Sequence, residues 1–167
     1  WAMLILEDIN REHYGNAWLE LNKFQLEAEK RKNPKGITVG YRLRGDMYYM
    51  QQVYRFALPE YREALQYGIN HDIDNVYFLY RRVGDCCSHL RRWQESEQAL
   101  LKSIELAPNL QLTLTGHCLL LSLYCCQEVQ DNVKIDRTYA EIKHLLTLYP
   151  LINNQSNLYH ESMYYYY

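Results

Sequence analysis

Large apolar and small residues recur along this chain in a pattern that is written twice. Between residues 41 and 108, Tyr41, Gly45, Tyr54, Ala57, Tyr61, Ala64 and Leu65 are answered by Tyr80, Gly84, Trp93, Ser96, Leu100, Ser103 and Ile104, each 39 residues further on. A fixed period of this length, with small and large residues in constant relative places, is the mark of stacked helical hairpins. Shifted back by 40 residues, Trp1, Tyr14, Ala17 and Leu21 fall on Tyr41, Tyr54, Ala57 and Tyr61, so the start of the chain reads as an earlier copy in which Ile5 replaces the small residue.

Taken in order, the pattern predicts hairpins at about residues 1–33, 38–69, 75–108 and 110–149, a repeat domain over 1–150, and a tail or capping segment over 151–167. Trp1, Leu4, Ile5 and Ile9 sit at helical spacing, and His13-Tyr14-Gly15-Asn16 reads as a break. Ala17, Leu21, Phe24 and Ala28 form the stripe of a second helix, which Asn33-Pro34-Lys35-Gly36 ends. A bend falls around residues 51–55, and Pro59 fits the first turn of the helix that follows, where a missing amide hydrogen costs little. Residues 68–74 read as a polar connector, with Asp74 or Asn75 placed to cap the next helix. Residues 110–127 are apolar nearly all round, as in a helix buried between neighbours. After a polar loop at 128–134, Ile135, Tyr139, Ile142, Leu145, Leu146 and Tyr149 rebuild a stripe closed by Pro150.

Composition narrows the class. An apolar content of 48% supports a sizeable core, and seven Gly and four Pro are too few for a turn-rich sandwich, so the prior is all-α. A net charge of −2 disfavours nucleic acid or an anionic membrane as partner. No apolar run reaches the length of a membrane span, and no leader pattern opens the chain, so a soluble protein of the cytoplasm is expected. Its start at Trp1 suits a piece of a longer chain or a processed product. The five cysteines, at 86, 87, 118, 125 and 126, lack C-x-x-C spacing and point to a reducing compartment and a packing role. Six histidines occur, none in H-E-x-x-H, and neither a phosphate loop nor a G-x-S-x-G elbow is present. No catalytic residue, metal or cofactor is therefore expected, and the chain is not read as an enzyme.

Tyr80-x-x-Val83-Gly84-x-x-Cys87, then Trp93, Ser96-x-x-x-Leu100, Ser103 and Pro108, resembles the tetratricopeptide repeat motif. Tyr41-x-x-Arg44-Gly45-x-x-Tyr48, Tyr54, Ala57-x-x-x-Tyr61 and Ala64 is similar to it again, with Arg44 in place of Leu. Residues 1–33 and 110–149 look like degenerate copies. The step of 39 exceeds the usual 34, which asks for longer links or longer helices. The resemblance implies a right-handed α-solenoid of antiparallel helix hairpins. It also implies a groove, lined by the first helix of each hairpin, that receives a partner peptide.

On that implied wall Arg42 and Asp46 recur as Arg81 and Asp85, with Tyr49, Arg82 and His89 beside them. In register they would form a ladder of alternating charge able to hold a peptide's carboxylates and backbone; the competing reading is a solvated surface pair on each helix. Arg81-Arg82 and Arg91-Arg92 make an acidic peptide one candidate guest. The expected function is a protein–protein interaction module, an adaptor or scaffold. The alternatives are a peptide-sensing domain of a larger bacterial regulator and an accessory domain of an enzyme. Residues 110–127 and the Tyr-rich end are candidates for self-association.

Overall fold

A computed structural model of the chain describes residues 1–74 and 76–148. Among them eight α-helices follow one another with no strand: α1 (Ala2–Asn10), α2 (Tyr14–Lys30), α3 (Pro34–Met50), α4 (Tyr54–Asn70), α5 (Tyr77–His89), α6 (Trp93–Glu105), α7 (Leu110–Cys126) and α8 (Asn132–Leu148). The fold is all-α.

One turn, used five times, sets the spacing. Glu12, Lys32, Gln52, Asp72 and Arg91 adopt left-handed backbone, with φ of 60°, 49°, 58°, 50° and 57°. Each residue after them sends its N–H to the carbonyl five positions back, as in His13 to Asp8 (2.8 Å), Val53 to Tyr48 (2.9 Å) and Arg92 to Cys87 (2.8 Å). This is the Schellman closure, which satisfies carbonyls that the end of a helix would otherwise leave bare. The left-handed residues 12, 32, 52 and 72 fall 20 apart and 91 falls 19 further on, and α2, α3 and α4 have 17 residues each. The 39- and 40-residue periods of the sequence are two such steps; the 17-residue helices supply much of that length, and the link before α5, which opens at Tyr77 after α4 ends at Asn70, supplies the rest.

These turns move several expected boundaries. Tyr14, Gly15 and Asn16 are the first turn of α2 rather than a break. Asn33-Pro34-Lys35-Gly36 starts α3 rather than ending α2: the Asn33 side chain accepts from the Gly36 N–H at 3.2 Å, and Pro34 takes the first helical position. The helix expected to open at about 38 therefore begins at Pro34. Pro59 lies in the second turn of α4, exposed, where the helix goes without one backbone bond. α4 runs on through Gly68 to Asn70, and Val76 precedes α5 with no side-chain cap, so Asp74 does not cap it. Asn75, Tyr149, Pro150 and the tail 151–167 lie outside the described residues. α8 starts at Asn132, inside the expected loop, where Asp131 accepts from the N–H groups of Val133 and Lys134.

Two glycines sit where helices approach most closely in the repeated pattern. A Cβ on Gly45 would lie 2.7 Å from Cε1 of Tyr61, and one on Gly84 would lie 2.8 Å from Cγ of Leu100. Tyr61 and Leu100 are 39 residues apart, as are Gly45 and Gly84, so the two copies make the same close approach. The pairs Gly45–Tyr61 and Gly68–Thr38 fix α3 and α4 as antiparallel, and Glu97–Tyr124 with Ile104–Gly116 do the same for α6 and α7.

The core is divided into successive clusters. Ile5, Ile9, Ala17, Leu21, Leu43 and Met47 form the first. Tyr61, Phe78, Val83, Cys86 and Cys87 belong to the second, and Leu100, Leu120, Leu123 and Tyr124 to the third. Each burial of such a side chain contributes about 1.5–3 kcal/mol. Contrary to expectation α7 is not covered all round: Cys118, Ser122, Cys125 and Cys126 are exposed. In α8, Ile142 and Leu145 are buried, whereas Tyr139 and Leu146 face solvent.

Candidate functional site

α3 and α5 run parallel, side by side, and their facing residues differ by 36. Arg42 lies over the Phe78 ring (5.8 Å), Asp46 meets Arg82 (3.5 Å), and the Tyr49 hydroxyl donates to Asp85 (2.5 Å). Asp46 is buried, accepts from the Tyr61 hydroxyl at 2.6 Å, and has Arg42 at 3.9 Å. Arg82 also lies over Tyr49 at 4.7 Å. All seven predicted residues thus engage one another or the core, Arg81 through Phe78 and His89 through Tyr49 and Tyr54.

The expected ladder is only half present. Arg42 and Asp46 form their pair, but no ion pair joins Arg81 to Asp85 among the described residues; Asp85 is held by Tyr49, and Arg81 lies over Phe78 at 5.2 Å. His89 stacks on Tyr54 with ring centroids 4.0 Å apart and planes 2° from parallel. Of the basic cluster beyond, Arg91 pairs with Glu128 and Arg92 with Glu95.

Burial governs the ionisation of this region. Tyr61 is pushed well above the ordinary tyrosine range by burial and by the negative charge of Asp46 beside it. Tyr49 is raised by burial and by its bond to Asp85, and Tyr54 mainly by burial. The Cys86 thiol is pushed up to about 12, again chiefly by burial, which leaves it an inert packing group.

The open space lies at one end of this wall. A cleft of about 400 Å³ is lined by Ala2 and Met3 of α1, by Lys35, Thr38, Val39 and Arg42 of α3, by Phe78 and Leu79 of α5, and by Trp1 and the connector residues Asp72, Ile73, Asp74 and Val76. That volume suits a small ligand or a few peptide residues. Only Arg42 among the seven predicted residues borders it. Lys35, Thr38, Val39 and Arg42 follow the i, i+3, i+4, i+7 stripe of one helix face, a signal present in the sequence but hidden by the assignment of 33–36 to a loop. Thr38 is 6% exposed, and its Oγ1 has no hydrogen-bond partner.

Compared with family models, with curated proteins and with solved structures, the chain finds no match.

A second cleft, of about 320 Å³, lies between α6, α7 and α8. Beside it Glu97 accepts from the Tyr124 hydroxyl (2.7 Å) and from Lys134 (2.6 Å). His117 lines it with Nδ1 buried and unpartnered, and burial lowers its pKa below the usual histidine value. Among the described residues no group of three or more His, Cys, Asp or Glu is arranged to hold a metal ion, and no helix is long and apolar enough to cross a membrane. What the first cleft offers is an apolar floor with charged groups at its rim, which is the equipment of a binding site.

Proposed function

We propose that this chain is a protein–protein interaction module, an adaptor or scaffold built as a right-handed, tetratricopeptide-like α-solenoid. The hairpins pair α1 with α2, α3 with α4, α5 with α6 and α7 with α8, and a partner segment lies in the cleft along α1, α3 and α5. The observation that carries the reading is that the helices lining the cleft are the first members of three successive hairpins. An inner wall of that kind is where stacked repeats receive an extended guest. Preformed helices also lose little entropy when a guest arrives. The matched contacts of Gly45 and Gly84 support the repeat architecture.

Selection of binders from a random short-peptide library tests this reading, with the selected peptides then measured against Val39→Trp. The indole would fill the cleft while leaving the partly exposed position of Val39 on α3 intact. Peptides should bind the parent chain and lose at least about tenfold in the variant, whose helicity is checked by circular dichroism. Equal binding to both chains would refute the site.

A further inference from the structure

The arginines that drew attention in the sequence are committed elsewhere. Arg42 and Arg82 share Asp46, Arg91 pairs with Glu128, and Arg92 pairs with Glu95. At the rim of the α1–α3–α5 cleft the balance differs. Asp72 and Asp74 are exposed, and neither forms an ion pair with a described residue; Lys35 does not either. Both charged groups of the connector are thus carboxylates, facing Lys35 and Arg42 of α3 across a floor of Ala2, Met3, Val39, Ile73, Val76 and Leu79. A second observation points to a guest: Thr38 lines the same cleft, more than nine-tenths buried, with a hydroxyl that has no partner. A buried polar group left so is costly unless something meets it.

Resting on the proposed binding function, we infer that the cleft selects a partner segment whose apolar side chains are flanked by lysine or arginine, with Asp72 and Asp74 as the acidic contacts. The apolar residues fill the floor, and the basic group reaches the connector. The Thr38 hydroxyl is the group placed to take up a backbone N–H or C=O of the guest. An acidic guest would bring its charge against both connector carboxylates.

The test is the composition of the peptides that the whole chain selects, followed by fluorescence anisotropy with synthetic versions carrying Lys, Ser or Glu at the flanking positions. Basic residues beside apolar ones should be enriched. The Lys form should bind roughly tenfold tighter than the Ser form at low salt, as expected for two partly exposed charge contacts, and the gap should shrink as salt rises. In Asp72→Asn/Asp74→Asn the preference should fall to within about twofold; Asn also tolerates the left-handed backbone of residue 72. A Glu form that binds best, or a preference that survives the double substitution, overturns the inference. If the selected set shows no charge bias but is still lost on Val39→Trp, the charge preference fails and the binding site stands. If no peptide depends on Val39, both fail together.

Discussion

Gly45→Ala should destabilise the protein even though alanine is the better helix former. The new Cβ would stand 2.7 Å from Cε1, 2.8 Å from Cδ1 and 3.0 Å from Cζ of Tyr61, against about 3.5–4.0 Å for ordinary carbon contacts. The ring would have to retreat by about 1 Å. Tyr61 is fully buried, and its hydroxyl is anchored on Asp46 at 2.6 Å, so retreat strains packing and stretches a charge-assisted bond. Overpacking costs about 1–3 kcal/mol and weakening such a bond adds about 1–2, while replacing helical glycine by alanine returns about 0.5–1. The expected net loss is about 1–4 kcal/mol. Gly15→Ala is the internal control: nothing lies within 4 Å of its Cβ position, so the propensity gain stands alone and stability should rise by about 0.5–1 kcal/mol. Urea unfolding followed by circular dichroism reads both as shifts in midpoint at constant slope. A Gly45→Ala protein as stable as its parent would mean that α3 and α4 do not approach as closely as described.

Replacing Gln52 and Arg91, both exposed at left-handed turns, by glycine should stabilise by about 1 kcal/mol each in the same unfolding assay. A double-mutant cycle on Asp46→Ala and Arg82→Ala should return a coupling of about 1–3 kcal/mol, whereas additive losses would show that the two helices are not tied there. A thiol reagent at mildly alkaline pH should label exposed Cys118, Cys125 and Cys126 and spare Cys86 and Cys87 until the protein unfolds, as peptide mapping would show. His117 has a lowered pKa in the fold, so the unfolded chain takes up its proton first: its contribution to stability is present above the ordinary histidine pKa near 6.5 and is lost as pH falls toward the folded value. Comparing acid unfolding of the parent with His117→Gln should show a shallower pH dependence in the variant.

The matched contacts of α3 with α4 and of α5 with α6 were legible because similar side chains solve the same packing problem twice. Gly45 and Gly84 admit a large partner residue at equivalent points, and that requirement survives in the letters. Helix ends were harder to read because the chain does not punctuate its turns with glycine. Glu12, Lys32, Gln52, Asp72 and Arg91 carry the left-handed backbone, all ordinary polar residues, and no described glycine has positive φ. Gly15, Gly36 and Gly68, which suggested breaks and connectors, lie inside helices. Asn33-Pro34 shows the ambiguity most plainly: the pair can follow one helix or begin the next, and only the 20-residue spacing decides. The cleft was missed for that reason, since its α3 stripe opens with Lys35, in what read as a loop, and Thr38 then stood at the expected helix start.

The charge pattern of the wall was legible residue by residue, but its partners were not, because equivalence and contact run at different steps. Equivalent residues recur at 39, whereas α3 and α5 meet at 36. Contact at 39 would set Arg42 beside Arg81 and Asp46 beside Asp85, stacking like charges at a penalty. A slip of three residues, close to one helical turn, places Asp46 against Arg82 and Asp85 against Tyr49 instead. The repetition that suggested a charged ladder for a guest is therefore satisfied between the helices themselves. The polar groups left without a partner lie a turn or two toward the start of α3 and just before α5, where the connector carboxylates and the unpaired Thr38 hydroxyl border an apolar floor.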